Sequence, residues 1–536
     1  MVLVERLSLN DPPVDSGIQQ QHELVALSTV ILVGHAPLDN VMGDPDSRCH
    51  LVWLGKPSPG VGVDTVKANY LSKQTLDPRE WTLSVEVFQA IVLQWFTQSD
   101  GYGEEQEGRD LQFVDFQIQQ NGREHQTDAY RNKKLIIRRG KPFRMTLSMA
   151  RGVYVDQLTF TAQTGPRKWN FPISQKEPGN VWGAVLRTSN SKTLDITFFT
   201  PTNAIIGLYS LSVQFSSEEE PVTLGKVILL FNPWHPGDAV FIEGEAERQE
   251  YVMNDYGIIF QGNLNYIQAF SWNYGQFEEN IVDVCLSLLE HSFNFRGNPN
   301  ADYSRRGDPA YVSRVISAMI NSNDDNGVVE GKWDGEFTEG KKPTEWNGSV
   351  ALLRQWQANG FKPVKYGQCW VFAGVLCTVM RCLGVPTRVV TNFESAHDGN
   401  GDLIIDQYFD KSGKHLKEES EDSIWNYHVW NECWMRRYDL SSFFNGWQVL
   451  DATPQELSDG IFCCGPTSVR AVKEKALKVK YDVPFVYAEV KATINSWVKT
   501  DDKKEKVNTN TTSVGRNIST KGVGANTRVD ITNTYK

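Results

Sequence analysis

Residues 366–383 read Tyr366-Gly367-Gln368-Cys369-Trp370-Val371-Phe372-Ala373-Gly374-Val375-Leu376-Cys377-Thr378-Val379-Met380-Arg381-Cys382-Leu383. The run is apolar on every side, which predicts a helix from about Gln368 to Leu383 inside a domain rather than on its surface. Gly384 and Pro386 are its stop signals. A helix buried all round needs neighbours, and the flanking sequence supplies them. Upstream, 277–289 places Phe277, Ile281, Val284, Cys285 and Leu288 on one helical face. A second helix has Asp308 as N-cap, Pro309 at its first position, a stripe of Val312, Val315, Ile316 and Met319, and an end near Asn321. A third covers about 349–357. Downstream, 387–393, 428–435 and 446–451 read as strands. Helices beside an antiparallel sheet make this an α+β domain.

Further upstream the period changes from helical to two. Phe143, Met145 and Leu147, then Leu158, Phe160 and Ala162, then Leu194, Ile196 and Phe198, then Tyr209, Leu211, Val213 and Phe215 alternate with polar residues between turn signals. That pattern predicts an all-β sandwich from about Leu111 to 227–231. The first 110 residues are turn-rich at 10–17, 37–47, 55–62 and 101–109, and carry no functional assignment. The 536 residues therefore divide into an unassigned 1–110, a sandwich over 111–238 and a large core over 239–536. The charge-rich 499–506 reads as a solvated loop.

Composition narrows the function. With 54 Lys plus Arg against 65 Asp plus Glu, the net charge of -11 leaves no basic footprint for a phosphate backbone, so no nucleic-acid partner is expected. The apolar runs near 24–33 and 85–96 fall short of the ~18–20 residues that span a bilayer, so no transmembrane segment is expected. Met1 to Pro12 lacks a basic-then-apolar signal pattern, which predicts a cytoplasmic protein. Eight cysteines, at 49, 285, 369, 377, 382, 433, 463 and 464, are too sparse for a disulfide scaffold. Most read as buried thiols.

Cys369 differs because it stands at the entry of the buried helix. Free N–H groups and the helix dipole there favour an anion, and such a setting lowers a thiol pKa from about 8.5 to roughly 3.5–7.5. A thiolate nucleophile needs a base. His428, between aromatic neighbours in Trp425-Asn426-Tyr427-His428-Val429-Trp430, is the candidate, and Asp451 at the end of an apolar strand is placed to orient it. Helix-borne Cys, strand-borne His and strand-borne acid follow the papain-like order. The alternative for the three is a buried thiol, a structural histidine and a capping aspartate. The loop Asn321-Ser322-Asn323-Asp324-Asp325-Asn326-Gly327 crowds oxygens into one turn, as a hard cation such as Ca²⁺ requires, or caps the helix before it.

Tyr366 to Ala373, Arg388-Val389-Val390-Thr391-Asn392-Phe393, Ser395-Ala396-His397-Asp398, Trp425 to Trp430 and Asp451-Ala452-Thr453-Pro454-Gln455-Glu456 together resemble the calcium-dependent animal transglutaminases. With Tyr251 to Gly257 and Asn431 to Met435, the character is most similar to the epidermal, keratinocyte-type members. The resemblance covers about 111–536. It implies an immunoglobulin-like β-sandwich followed by a papain-like catalytic core, with Cys369, His428 and Asp451 as the triad. The implied activity is acyl transfer from a protein-bound glutamine to the lysine ε-amine of another protein, through a Cys thioester, with deamidation when water replaces the amine. Trp333 matches the family's oxyanion donor and Trp425 the second wall of its lysine tunnel.

The resemblance also implies Ca²⁺ as cofactor. Asn321, Asn323 and Asp325 with the Ala318 carbonyl match the permanently occupied site. Asp398, Asn400, Asp402, Ile404 and Asp422 match the regulatory one, with amide and carboxylate exchanged between 400 and 402 relative to the family pattern. At a third site Lys491 stands where an Asn oxygen is usual, so that site is expected to be crippled or absent. The chain stops at Lys536, before the family's two C-terminal β-barrels, which are expected to be missing. Glutamine- and lysine-bearing proteins are the implied partners, and no oligomer is implied. The competing readings are a truncated or inactive scaffold of the same fold, and a cysteine protease sharing the Cys-His-Asp order.

Overall fold

The structure, a computed structural model, describes residues 29–33, 50–54, 111–152, 154–190, 192–215, 220–500 and 503–536. The chain divides into two compact units, Met1–Tyr102 and Gly103–Lys536. In the first, β1 (Thr29–Val33) pairs antiparallel with β2 (His50–Leu54), Thr29 opposite Leu54. Cys49 and the turn-rich stretches of the first 110 residues lie outside the described residues.

The second unit opens with nine strands: β3 (Leu111–Asp115), β4 (Leu135–Arg138), β5 (Phe143–Met149), β6 (Thr159–Thr164), β7 (Arg167–Ser174), β8 (Gly183–Ser189), β9 (Thr193–Phe199), β10 (Gly207–Gln214) and β11 (Val222–Leu230). Their order is β3-β5-β9-β8-β7-β6-β10-β11-β4. A short parallel pairing of β7 with β8 lets the sheet curl so that its halves face each other. The alternating residues fill the space between. Phe198 on β9 stacks on Phe143 with centroids 5.2 Å apart and meets Phe160 of the opposite half edge-on at 5.0 Å. Two strands are invisible to a period-two reading for opposite reasons. Leu135 to Arg138 is buried at every position, so nothing alternates, and Arg167 to Ser174 is charged and largely outward.

The sandwich is bonded to the helix-and-sheet half of the unit through buried polar groups. Arg139 and Asp238, both fully buried, form a two-pronged ion pair at 2.6 and 2.7 Å, and Arg139 also donates to the Ala204 and Gly307 carbonyls. Removing one partner of such a pair typically costs about 3–5 kcal/mol because the other charge stays buried. Nearby, Tyr130 donates to the Cys382 carbonyl at 2.7 Å and the Phe231 N–H to Leu383 at 3.1 Å. The C-terminal end of the buried helix is thereby fixed against the sandwich.

Beyond the hairpin β12 (Tyr256–Asn263) and β13 (Tyr266–Asn273), helices Ile281–His291, Pro309–Ile320 and Val350–Ala358 surround helix Cys369–Leu383. Every residue of that last helix is buried. Gly384 ends it at φ 95°, where a Cβ would sit 2.5 Å from the Phe231 carbonyl. The first helix starts at Ile281 rather than Phe277, because 277–280 form a turn closed by left-handed Asn280. Asp308 caps the second as its sequence predicts, accepting from the Ala310 N–H.

The remaining strands are β14 (Val329–Gly331), β15 (Val364–Gly367), β16 (Thr387–His397), β17 (Ile404–Phe409), β18 (Ser423–Met435), β19 (Gly446–Asp451), β20 (Leu457–Ser458), β21 (Ile461–Phe462), β22 (Cys464–Ser468), β23 (Thr493–Lys499), β24 (Lys504–Asn510), β25 (Arg516–Lys521) and β26 (Arg528–Asp530). The central sheet runs β22-β19-β18-β16-β25-β26, antiparallel throughout. The 499–506 block, expected as a loop, instead contributes to a hairpin in which Lys499 pairs with Lys504. Its β24 is an exposed, charge-studded edge, which sequence cannot tell from a loop.

Candidate active site

β15 pairs in parallel with β14 and delivers the chain into the buried helix. The Lys332 N–H donates to the Gly367 carbonyl at 3.1 Å, and the Gln368 side chain to the Lys332 carbonyl at 2.9 Å, so the strand end and the helix entry are tied together. Cys369 is the first helical residue and is 4% exposed. From the sheet side, Asn431 on β18 donates to the Ala373 carbonyl at 2.9 Å, fixing the sheet against the helix.

His428 lies in the middle of β18, not at a strand start as its sequence suggested, and Asp451 ends β19, the antiparallel neighbour. His428 Nε2 is 2.6 Å from Asp451 Oδ2, with both side chains buried. Asp451 Oδ1 accepts from the Thr453 N–H at 2.9 Å. A carboxylate acceptor makes Nε2 the protonated nitrogen, which leaves Nδ1 as the free lone pair. Nδ1 makes no hydrogen bond within ordinary limits and is buried. Burial alone would lower the imidazole pKa; the charge and hydrogen bond of Asp451, then the Cys369 thiol and the Glu489 charge, outweigh it and hold His428 well above its usual range. The three expected residues thus converge, with the imidazole between thiol and acid.

Trp425 stands edge-on to the His428 ring at 5.1 Å, its indole N–H donated to Ser423 at 3.2 Å. Trp333, 45% exposed just past the end of β14, stacks parallel to Phe372 with centroids 6.2 Å apart. Two residues to which the sequence reading gave no role complete the group. The Gln455 amide nitrogen is 3.2 Å from Asp451 Oδ2 and 3.1 Å from Glu489 Oε1, and Glu489 Oε1 is 3.7 Å from His428 Nε2. Glu489 is a lone acid in the apolar run Phe485-Val486-Tyr487-Ala488-Glu489-Val490, and that was the available signal.

The oxygen-rich loops lie apart from this centre. Helix Pro309–Ile320 carries the Ala318 carbonyl in its last turn and ends at Asn321. Asn321 donates to the Phe462 carbonyl and accepts from the Asn323 N–H, while Gly327 packs so closely that a Cβ would meet the Asn321 and Met319 carbonyls. Asp325 Oδ1 is buried with no hydrogen-bond partner, and burial raises its carboxyl to about 6. An orphaned buried carboxylate oxygen beside amide and carbonyl oxygens fits a Ca²⁺ donor set.

In the second loop, Asp398 accepts from the Gly401 and Leu403 N–H groups, Asn400 from Asp402 and Asp402 from Ile404. Asp422 returns to accept from Gly399 and Asp406. Its carboxyl is raised, first by burial and then by the charges of Asp398 and Asp402, so three carboxylates face one another here. These residues also fit a hard cation. Helix Pro309–Ile320 links the first loop to Asp451, since Ser317 donates to the Asp451 carbonyl at 2.7 Å.

Two family models match the chain: one described as "Transglutaminase family" over residues 112–216, and one as "Transglutaminase-like superfamily" over 342–452. Over these residues the sandwich and the core are similar to the transglutaminase family. Human protein-glutamine gamma-glutamyltransferase 5 is 48% identical over 80% of this chain, and human protein-glutamine gamma-glutamyltransferase Z is 50% identical over 80%. The bovine protein-glutamine gamma-glutamyltransferase E is 49% identical over 80%. The chain spans 62%, 62% and 63% of those relatives' lengths. The crystal structure of red sea bream transglutaminase superposes with a TM-score of 0.75 at 42% identity, covering 80% of this chain and 65% of that one. The transglutaminase fold therefore accounts for the curled sandwich and for the helix-and-sheet core.

Proposed function

We propose that this chain catalyses calcium-dependent acyl transfer from protein-bound glutamine to the lysine ε-amine of another protein, as the names of its relatives suggest for them. The observation carrying this reading is the His428 imidazole, bonded to Asp451 through Nε2 with a free Nδ1 beside Cys369. In this reading His428 Nδ1 takes the Cys369 proton, and the thiolate attacks the γ-carboxamide carbon. The imidazolium then protonates the departing ammonia, and a thioester remains on Cys369. In the second half His428 takes the proton of the attacking lysine amine. Collapse expels the thiolate and leaves an Nε-(γ-glutamyl)lysine crosslink; with water as the nucleophile the product is glutamate. The Cys369 N–H, free at the helix start, and the Trp333 indole are the proposed oxyanion donors, with Trp425 walling the lysine channel.

We assign Ala318, Asn321, Asn323 and Asp325 to one calcium site and Asp398, Asn400, Asp402, Ile404 and Asp422 to another. Bound calcium would supply the positive charge that neutralises the carboxylates facing one another there. A site at Lys491 is not proposed, since a Lys ammonium has no lone pair with which to ligate a cation. The proposed domains are an unassigned 1–110, the sandwich over 111–238 and the core over 239–536. Among the described residues no helix is long and apolar enough to cross a membrane. A cytoplasmic setting is supported by seven buried free thiols among those residues. The test is incorporation of a labelled primary amine into a glutamine-rich protein. Signal is expected with calcium and is abolished by chelator or by Cys369→Ala; a folded wild-type protein giving no calcium-dependent signal would overturn the reading.

A further inference from the structure

We propose that Glu489 is a positioning residue of the acyl-transfer centre, holding the His428–Asp451 pair in register through the side-chain amide of Gln455. The hydrogen count decides the arrangement. Gln455 Nε2 has two hydrogens and three groups within reach: His428 Nε2 at 3.1 Å, Asp451 Oδ2 at 3.2 Å and Glu489 Oε1 at 3.1 Å. His428 Nε2 spends its own proton on Asp451, so it cannot accept. The two amide hydrogens are left for the two carboxyls, and Gln455 bridges them. The backbone of Glu489 is fixed in turn, since its carbonyl accepts from Asn392 of β16 at 2.9 Å.

The bridge serves carboxyls in either charge state, and burial is what favours one of the two being uncharged. Glu489 is 1% exposed, its Oε2 has no hydrogen-bond partner, and the ion pairs of the described residues give it no Lys or Arg. A second anion beside Asp451 would be buried without a counter-charge of its own. Burial first, and the Asp451 charge with it, raise the Glu489 carboxyl to about 8 even though His428 and Gln455 pull it down. The titratable groups facing it are His428 on β18, Asp451 on β19 and Cys464 on β22. Asn392 and Ser395 of β16 do not titrate, and the adjoining helix Val469–Lys473 turns Arg470 to the Phe443 ring and Lys473 to the Asn533 carbonyl.

At neutral pH, then, Asp451 alone supplies the negative charge on His428. On the alkaline side Glu489 ionises 3.7 Å from Nε2 and keeps the imidazole protonated to higher pH.

This inference rests on the proposed acyl transfer, and two readouts separate them: steady-state amine incorporation, and the pH profile of Cys369 alkylation by iodoacetamide followed on the Cys369 peptide by mass spectrometry. Both use the full chain with calcium. Glu489→Leu removes the acceptor and is expected to lower kcat by about tenfold to a hundredfold with little change in KM. Glu489→Gln keeps a neutral acceptor, and should hold kcat near wild type at neutral pH while moving the alkaline limb of both profiles down by about one unit. A folded Glu489→Leu protein with wild-type kcat and alkylation profile would overturn the proposal. So would a Glu489→Gln protein with an unmoved alkaline limb, which keeps the test decisive if the leucine variant fails to fold. Wild-type protein without amine incorporation would sink the acyl-transfer reading, yet the alkylation profiles would still decide Glu489.

Discussion

Two carboxylate clusters in this core use the same residue type for opposite ends. Around His428, Asp451 and Glu489 are buried beside an imidazole that becomes the cation, and the unneeded second charge is removed by keeping Glu489 protonated. Around the 398–402 loop, Asp398, Asp402 and Asp422 face one another with backbone N–H groups as their hydrogen-bond donors and no side-chain cation among the described ion pairs. The first cluster carries its own cation in His428, and the second has none among the described ion pairs, which is the ground for proposing a cation site there. Burial and the source of the positive charge, rather than the count of acids, separate the two clusters.

The comparison breaks most directly at Asp451. Asp451→Asn preserves size but can present its amide N–H to His428 Nε2, which favours the tautomer with the proton on Nδ1 and removes the base. Amine incorporation should fall by about 10³–10⁴-fold with the fold intact; a loss below tenfold would show that Asp451 does not set the tautomer. A smaller effect is expected in the loop. Asp422→Asn removes one of the three facing charges, and calcium affinity should drop by about tenfold, or about 1.4 kcal/mol. Calorimetry would register this directly, and the calcium-induced rise in Tm should shrink by about 2 °C. Unchanged calcium affinity would remove Asp422 from the site.

How much of this was legible in the sequence depended on what kind of signal each feature carries. The buried helix was legible because all its faces are apolar and Gly384 stops it, whereas Cys369, His428 and Asp451 were singled out by the resemblance of their motifs, their positions alone leaving a structural reading open. Glu489 was not legible, since its partners come from β18, β19 and the turn after Asp451, brought together only by the fold. The β4 strand, buried on both faces, and the β24 edge, polar on both, lack the alternation that exposes a half-buried strand. The left-handed Asn280 that shortened the first helix sits in a turn that apolar spacing at Phe277 masked.

A last test sharpens the contrast by stability rather than activity. Glu489 has its folded-state carboxyl raised to about 8, above the ordinary value of 4.5 that applies when the chain unfolds. Between those values the native state holds a proton that the unfolded chain releases, so this group's stabilising contribution is complete below about 4.5 and is lost as pH rises toward 8. One differential proton corresponds to at most about 1.4 kcal/mol per pH unit. Glu489→Gln deletes the titration, so urea unfolding of wild type and variant at a series of pH values should show a wild-type slope in that window that the variant lacks. Parallel stability curves would mean that Glu489 is already ionised in the native state, and the neutral-acid half of the comparison would fall.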